Sequence, residues 1–139
     1  MVGETGKGFK MCEDSGPQGT LTLRTIAMPS DVNVNGDIFG GWVLSQMDIA
    51  AGILSRERAR GRSATIAVDA MKFIRPVGVG DVLCVYTRLK RVGRTSMAID
   101  VEAWVNRGVI GAREKVTEAI FTFVAIDENG RPRPVPDID

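Results

Sequence analysis

Between Gly40 and Arg60 apolar residues fall on nearly every side of a helical wheel: Trp42, Val43, Leu44, Met47, Ile49, Ala50, Ala51, Ile53 and Leu54 leave almost no polar arc. Arg56, Glu57, Arg58 and Arg60 before Gly61 supply the polar, cationic exit and the glycine expected where a helix stops. The period then changes. Ala64–Ile74, Val82–Val92, Thr95–Val105 and Lys115–Ile126 read as long strands, separated by Pro76-Val-Gly-Val-Gly80, Gly93-Arg94 and the Asn106–Gly111 region. Thr20 to Met28 alternates as an earlier strand and stops at Pro29-Ser30-Asp31. Strands joined by short turns make an antiparallel sheet, and a single helix apolar all round needs a concave surface to cover it. The expected fold is α+β, with a curved antiparallel sheet wrapped around one long central helix.

At 139 residues the chain makes one domain with one core, and little room for a cleft of its own. A site shared between subunits is therefore expected. The domain is read as residues 19–130, after a polar tail over 1–18 expected to be disordered. Gly130-Arg-Pro-Arg-Pro-Val-Pro136 is too proline-rich for a ladder, so 131–139 is expected to be an extended tail on the surface. The formal net charge of +1 gives no whole-chain signal for nucleic acid or an anionic membrane. No segment approaches a membrane span, and 1–18 lacks the apolar centre of a signal peptide. Cys12 and Cys84 lie in unlike settings, so no disulfide is expected and the cytoplasm is the expected compartment.

The chain contains no histidine, which removes Ser-His-Asp and Cys-His catalysis together with the commonest transition-metal ligand. Acid–base chemistry falls to carboxylates, and no clustered Asp/Glu spacing calls for a metal. Asp48 stands well inside the apolar helix, where an unpaired carboxylate is costly. It is either a working group or a buried Asp satisfied by a neighbouring hydroxyl. Gly40 and Gly41 open the helix, and without side chains they leave backbone amides accessible to a carbonyl oxygen. Asp48 follows Gly40 by eight positions, about two turns, so both lie near one face. Two helices side by side in a dimer would bring one subunit's Asp48 toward the other's Gly40.

Other polar residues carry plainer readings. Asp37 is expected to cap the helix. Asn33 is a turn residue that can also orient a water or hold an amide. Thr65 is a β-former whose hydroxyl can reach a carboxylate. Cys84 reads as a packed small hydrophobe rather than a nucleophile, and Trp42 and Trp104 as core. The run Arg88-Leu-Lys90-Arg91-Val-Gly93-Arg94-Thr95-Ser96 places cations and hydroxyls on both sides of a tight turn. Such a run is a solvated edge or a grip for a phosphate or diphosphate, and Arg75 in a separate turn is a candidate addition to it.

The string Met28-Pro-Ser-Asp-Val-Asn-Val-Asn-Gly-Asp-Ile-Phe-Gly-Gly-Trp-Val-Leu-Ser-Gln-Met-Asp48 resembles the signature of hot-dog-fold acyl-CoA thioesterases of the YciA and brain acyl-CoA hydrolase type. Phe73-Ile-Arg-Pro-Val-Gly-Val-Gly-Asp81, Gly93-Arg-Thr-Ser-Met97, Val101-Glu-Ala-Trp104 and Thr117-Glu-Ala-Ile-Phe-Thr-Phe-Val-Ala125 continue the likeness in order. The resemblance implies a dimer with two sites at the subunit boundary, often a trimer of dimers, acting on acyl-CoA with no separate cofactor, since coenzyme A belongs to substrate and product. It implies that Asp48 is the catalytic base or nucleophile and that the Gly40 amide polarises the thioester carbonyl, with Asn33 favoured as a site residue; Thr65 joins these catalytic candidates on its strand-start hydroxyl alone. Asn33, Gly36, Phe39, Gly40 and Gly41 match the related Asn-x-x-Gly-x-x-His-Gly-Gly pattern with Phe39 in place of the histidine. A dehydratase on the same fold is disfavoured by the missing histidine, whereas a non-catalytic acyl-CoA sensor remains an alternative.

Overall fold

The computed structural model of the chain describes residues 16–107 and 111–138. Strand β1 (Thr20–Ile26) leads through a 3-10 turn (Pro29–Asp31) and a loop to helix α1 (Gly40–Ala59); β2 (Ser63–Phe73), β3 (Val82–Val92), β4 (Ser96–Asn106) and β5 (Arg113–Ala125) follow. Every pairing is antiparallel, in the order β1-β3-β4-β5-β2. The sheet curls over the helix. Val43, Met47, Ala50 and Ala51 form a stripe at helical spacing, and it meets Leu83, Val85, Met97, Ile99, Val101, Phe121 and Phe123 in one core. Residues 1–15, with Cys12, fall outside the described part, so the reading of that tail does too.

The helix departs from its expected complete burial. Ile49 and Ile53 are 52% and 42% exposed, because one curved sheet of five strands reaches only part of the way round it. The same holds for β2, an edge strand that carries Ile66 and Val68 into solvent and ends at exposed Phe73 and Ile74. An apolar unpaired edge of this kind is a ready template for pairing with another chain.

Local chemistry explains the joints. Asp31 accepts the Met28 amide at 3.0 Å and turns the chain out of β1. Arg107 donates to Asp81 and Glu114 at 2.6 Å and to the Pro76 carbonyl at 2.8 Å, which fixes the 76–81 loop and holds the Glu114 carboxyl below its usual range. The helix ends with Arg60, not glycine, in the left-handed conformation (φ 53). A Cβ at Gly61 would lie 2.8 Å from the Arg133 guanidinium and would push that side chain aside.

The proline-rich segment does more than lie on the surface. It doubles back after Asp127, bridges Ile126 through Pro132, and buries Val135. Prolines at 132, 134 and 136 alternate with residues that keep their amides, so Arg133 and Val135 donate along one side, to the carbonyls of Ala125 (2.9 Å) and Arg94 (2.8 Å).

In β2 the register shifts between Asp69 and Lys72, and Ala70 occupies the left-handed region at φ 56. That conformation costs an L-residue about 1 kcal/mol. Ala70→Gly is therefore expected to stabilise the fold by up to about 0.5 kcal/mol after the flexibility of glycine in the unfolded chain is offset. A rise in the denaturant midpoint at unchanged slope is the check.

Candidate active site

Asp48 projects from the middle of α1 toward β2, and the Thr65 hydroxyl donates to its Oδ1 at 2.6 Å. Among the described residues Oδ2 has no partner, and the carboxylate is half-buried. The pair opens on a groove of about 320 Å³ walled by Gly41, Leu44, Ser45, Val68 and Phe121. One hydroxyl thus holds one carboxylate oxygen and leaves the other free to receive a proton or attack a carbonyl.

The helix start has its own groove, of about 340 Å³, shared by Ile38, Gly40, Val43, Phe73, Arg75, Val77 and Val116. The residue flanking the first turn is Phe39, with no side-chain cap, so the expected capping by Asp37 does not occur. Asp37 is instead held back in the loop, its carbonyl 2.6 Å from the Asn33 amide. The Trp42 amide bonds the Phe39 carbonyl at 3.0 Å, and among the described residues the amides of Gly40 and Gly41 meet no acceptor. Two open donors at the positive end of a twenty-residue helix form an oxyanion-binding arrangement. Glycine at position 40 leaves room for the Phe73 ring, which a Cβ would meet at 2.9 Å and displace.

Gly40 and Asp48 do not share a groove, since eight residues at 1.5 Å rise set them about 12 Å apart along the axis. A single carbonyl cannot contact both within one chain.

The remaining sequence candidates divide. Asn33 Oδ1 accepts the amides of Asn35 (2.8 Å) and Asp37 (3.1 Å), so this side chain shapes the loop that delivers the helix start. Arg88 pairs with Asp100 at 3.2 Å, and Lys90 lines the same outer groove of the sheet with Asp100, Glu102 and Glu118. Arg91, Gly93, Arg94, Thr95 and Ser96 gather at the β3–β4 turn, beside the C-terminal end of α1. Arg75 does not join them. It follows the end of β2 near Gly40, donates to the Lys115 carbonyl at 3.0 Å, and lies a strand length, about 30 Å, from the turn. Cys84 is buried, and burial pushes its thiol up although Arg24 and Arg113 pull the other way, as a packed residue requires. Trp104 is 1% exposed, its indole donating to Glu102 Oε1 at 2.8 Å. Among the described residues no group of three His, Cys, Asp or Glu stands close enough to hold a metal ion, and no helix is long and apolar enough to cross a membrane.

Known proteins share this sequence and fold. The family model described as the thioesterase superfamily matches residues 35–112. An acyl-CoA thioester hydrolase YciA of Salmonella typhimurium is 55% identical over 126 residues, 88% of this chain and 95% of that protein. A solved hexameric broad-specificity acyl-coenzyme A thioesterase is 54% identical, superposes with a TM-score of 0.84, and aligns over 88% of this chain and 85% of its own. A hexameric thioesterase from Yersinia pestis is 52% identical with the same TM-score, covering 88% and 99%. On sequence and on the sheet-around-helix architecture, the chain belongs to the hot-dog thioesterase superfamily and, within it, to the acyl-CoA thioester hydrolases of the YciA type.

Proposed function

We propose that the protein hydrolyses acyl-CoA thioesters to a free fatty acid and coenzyme A at a site completed by two copies of the chain. The observation that carries this reading is the 12 Å problem: a Thr65-held carboxylate and a Gly40 amide about two helical turns apart on different grooves, with Gly41 alone of the two open glycines bordering the Asp48 groove. The midpoint of positions 40 and 48 is Leu44, which lies in the Asp48 groove at the β2 side. Antiparallel helices crossing at Leu44 about a two-fold axis set each Asp48 level with the partner's Gly40. Pairing β2 with β2 of the second copy covers Ile66 and Val68 and satisfies both strand edges. Arg75, lining the Gly40 groove, then belongs to the carbonyl-binding half of the site. The relatives described as hexameric support further assembly into a trimer of such dimers.

The chemistry follows from the parts. Negative charge builds on the thioester oxygen, and the Gly40 amide with the helix dipole behind it is aimed at that charge. Asp48 either takes a proton from water or attacks directly to form a mixed anhydride, and in both routes the coenzyme A thiolate leaves. In single-turnover hydrolysis in ¹⁸O-water, label in the Asp48 carboxylate identifies the anhydride route with water attacking the aspartyl carbon, whereas attack at the acyl carbon labels the fatty acid in either route. Water, a carboxylate and amides suffice, so neither a metal nor another cofactor is invoked. The cytoplasm, where acyl-CoA is made and thiols stay reduced, is the fitting compartment. Thiol release from acyl-CoA by the purified protein tests the reading; tight binding without release would make it a sensor.

The phosphates of coenzyme A are assigned to the β3–β4 turn. Arg91→Ala with Arg94→Ala is expected to raise KM for acyl-CoA about tenfold or more, as the loss of two charge-assisted contacts implies. Raising salt should push the wild-type KM in the same direction, because exposed contacts are screened beyond about 10 Å at ordinary ionic strength. An unchanged KM returns these residues to a solvated sheet edge.

A further inference from the structure

The C-terminal segment touches that turn. Val135 donates its amide to the Arg94 carbonyl at 2.8 Å, and Ala125, next to the segment's anchor, donates to the Thr95 carbonyl at 2.8 Å. A trans peptide points its C=O and N–H in opposite directions. With the Arg94 carbonyl turned inward, the Thr95 amide therefore faces away from the body of the protein, and among the described residues it meets no acceptor. The same segment is bolted to the helix that bears Asp48 by the residues on either side of Val135. Arg133 donates through Nη2 to the Ala59 carbonyl and through Nε to the Ile126 carbonyl, both at 2.9 Å, and Arg58 donates to the Pro136 carbonyl. A cation at those last carbonyls also complements the negative end of the helix.

We propose that residues 131–136 are a positioning strap, in which Val135 orients the Arg94–Thr95 peptide so that the Thr95 amide, not a carbonyl, confronts a coenzyme A phosphate. This rests on the assignment of the phosphates to the β3–β4 turn. Without the strap that peptide, bracketed by the Gly93–Ser96 and Ala125–Thr95 bonds, keeps the option of flipping between turn conformations, one of which would present a carbonyl oxygen to an anion. Proline alternation is the sequence device: it confines the segment to an extended course and leaves donors only where the strap needs them.

Val135→Pro tests this in the full chain, because it deletes one amide while keeping an apolar side chain of similar bulk; Val135→Ala does the converse. The expected result is a rise in acyl-CoA KM of about tenfold for Val135→Pro, the scale of a lost hydrogen bond to a charged group, with KM and kcat for an acyl-N-acetylcysteamine thioester at wild-type values. Val135→Ala should keep the wild-type acyl-CoA KM and lose only thermal stability. Equal losses on both substrates, or a KM unmoved by Val135→Pro while the Arg91/Arg94 double variant raises it, would overturn the strap and leave the nucleotide assignment standing. A KM unmoved in both overturns the assignment and the strap together. Should Val135→Pro not fold, Arg133→Met, which releases the strap from the helix end, is read on the same two substrates.

Discussion

Asp48→Asn is expected to lower kcat for acyl-CoA hydrolysis by about 10²–10⁴-fold, the range supplied by a positioned base, and by at least as much if the carboxylate is the nucleophile. Asparagine keeps the size of the side chain and an oxygen able to accept the Thr65 hydroxyl, now 2.6 Å from Oδ1, so the groove and the helix survive the change. Only the basicity goes. Coenzyme A binding, measured by calorimetry, should stay near wild type because the proposed phosphate contacts lie at the β3–β4 turn. Thr65→Val should fall between the two, since it leaves the charge and removes the group that aims it. Wild-type turnover by Asp48→Asn would reject the assignment. A large loss confined to Asp37→Ala would move the chemistry to the loop before the helix.

Mixing two inactive variants should restore activity. Gly40→Val places side-chain bulk against the Phe73 ring, already 2.9 Å from a Cβ, and obstructs the open amide. Asp48→Ala removes the carboxylate. In a hybrid dimer one site carries both lesions and the other carries neither, because the proposed site takes its carboxylate and its amide from different chains. Random reassortment makes about half the dimers hybrid, so about a quarter of the wild-type activity should return. Hybrids verified by differential tagging and still inactive would refute the shared site.

The long elements were legible because their signals are local: period 3.6 from Gly40, period 2 in the later strands, and glycine or proline at the joints. Val82–Val92 is the expected strand residue for residue, and the helix runs Gly40–Ala59. Meetings between distant residues were less visible. Thr65 reaching Asp48 follows from β2 passing beside the helix, which the sequence allows but does not compel. Arg75 and Arg94 looked alike as turn cations, yet strand register sends them to opposite ends of the sheet. The Asp37 cap failed because the Asn33 turn claims that residue first. Arg107, which locks the 76–81 loop, carried no signal beyond being one arginine among several. The strap did carry one, in the strict alternation of Pro132, Pro134 and Pro136, but tabulating prolines without asking which amides remain hides it.

The bare edge of β2 makes this chemistry a matter of concentration. Ile66, Val68 and Phe73 stay wet on an isolated chain, and each half of the proposed shared site lacks its complement. Activity per chain should accordingly fall on dilution, and at low abundance total activity should climb with roughly the square of the amount of protein, by mass action. A modest change in expression would then produce a larger change in thioester turnover, with no effector involved.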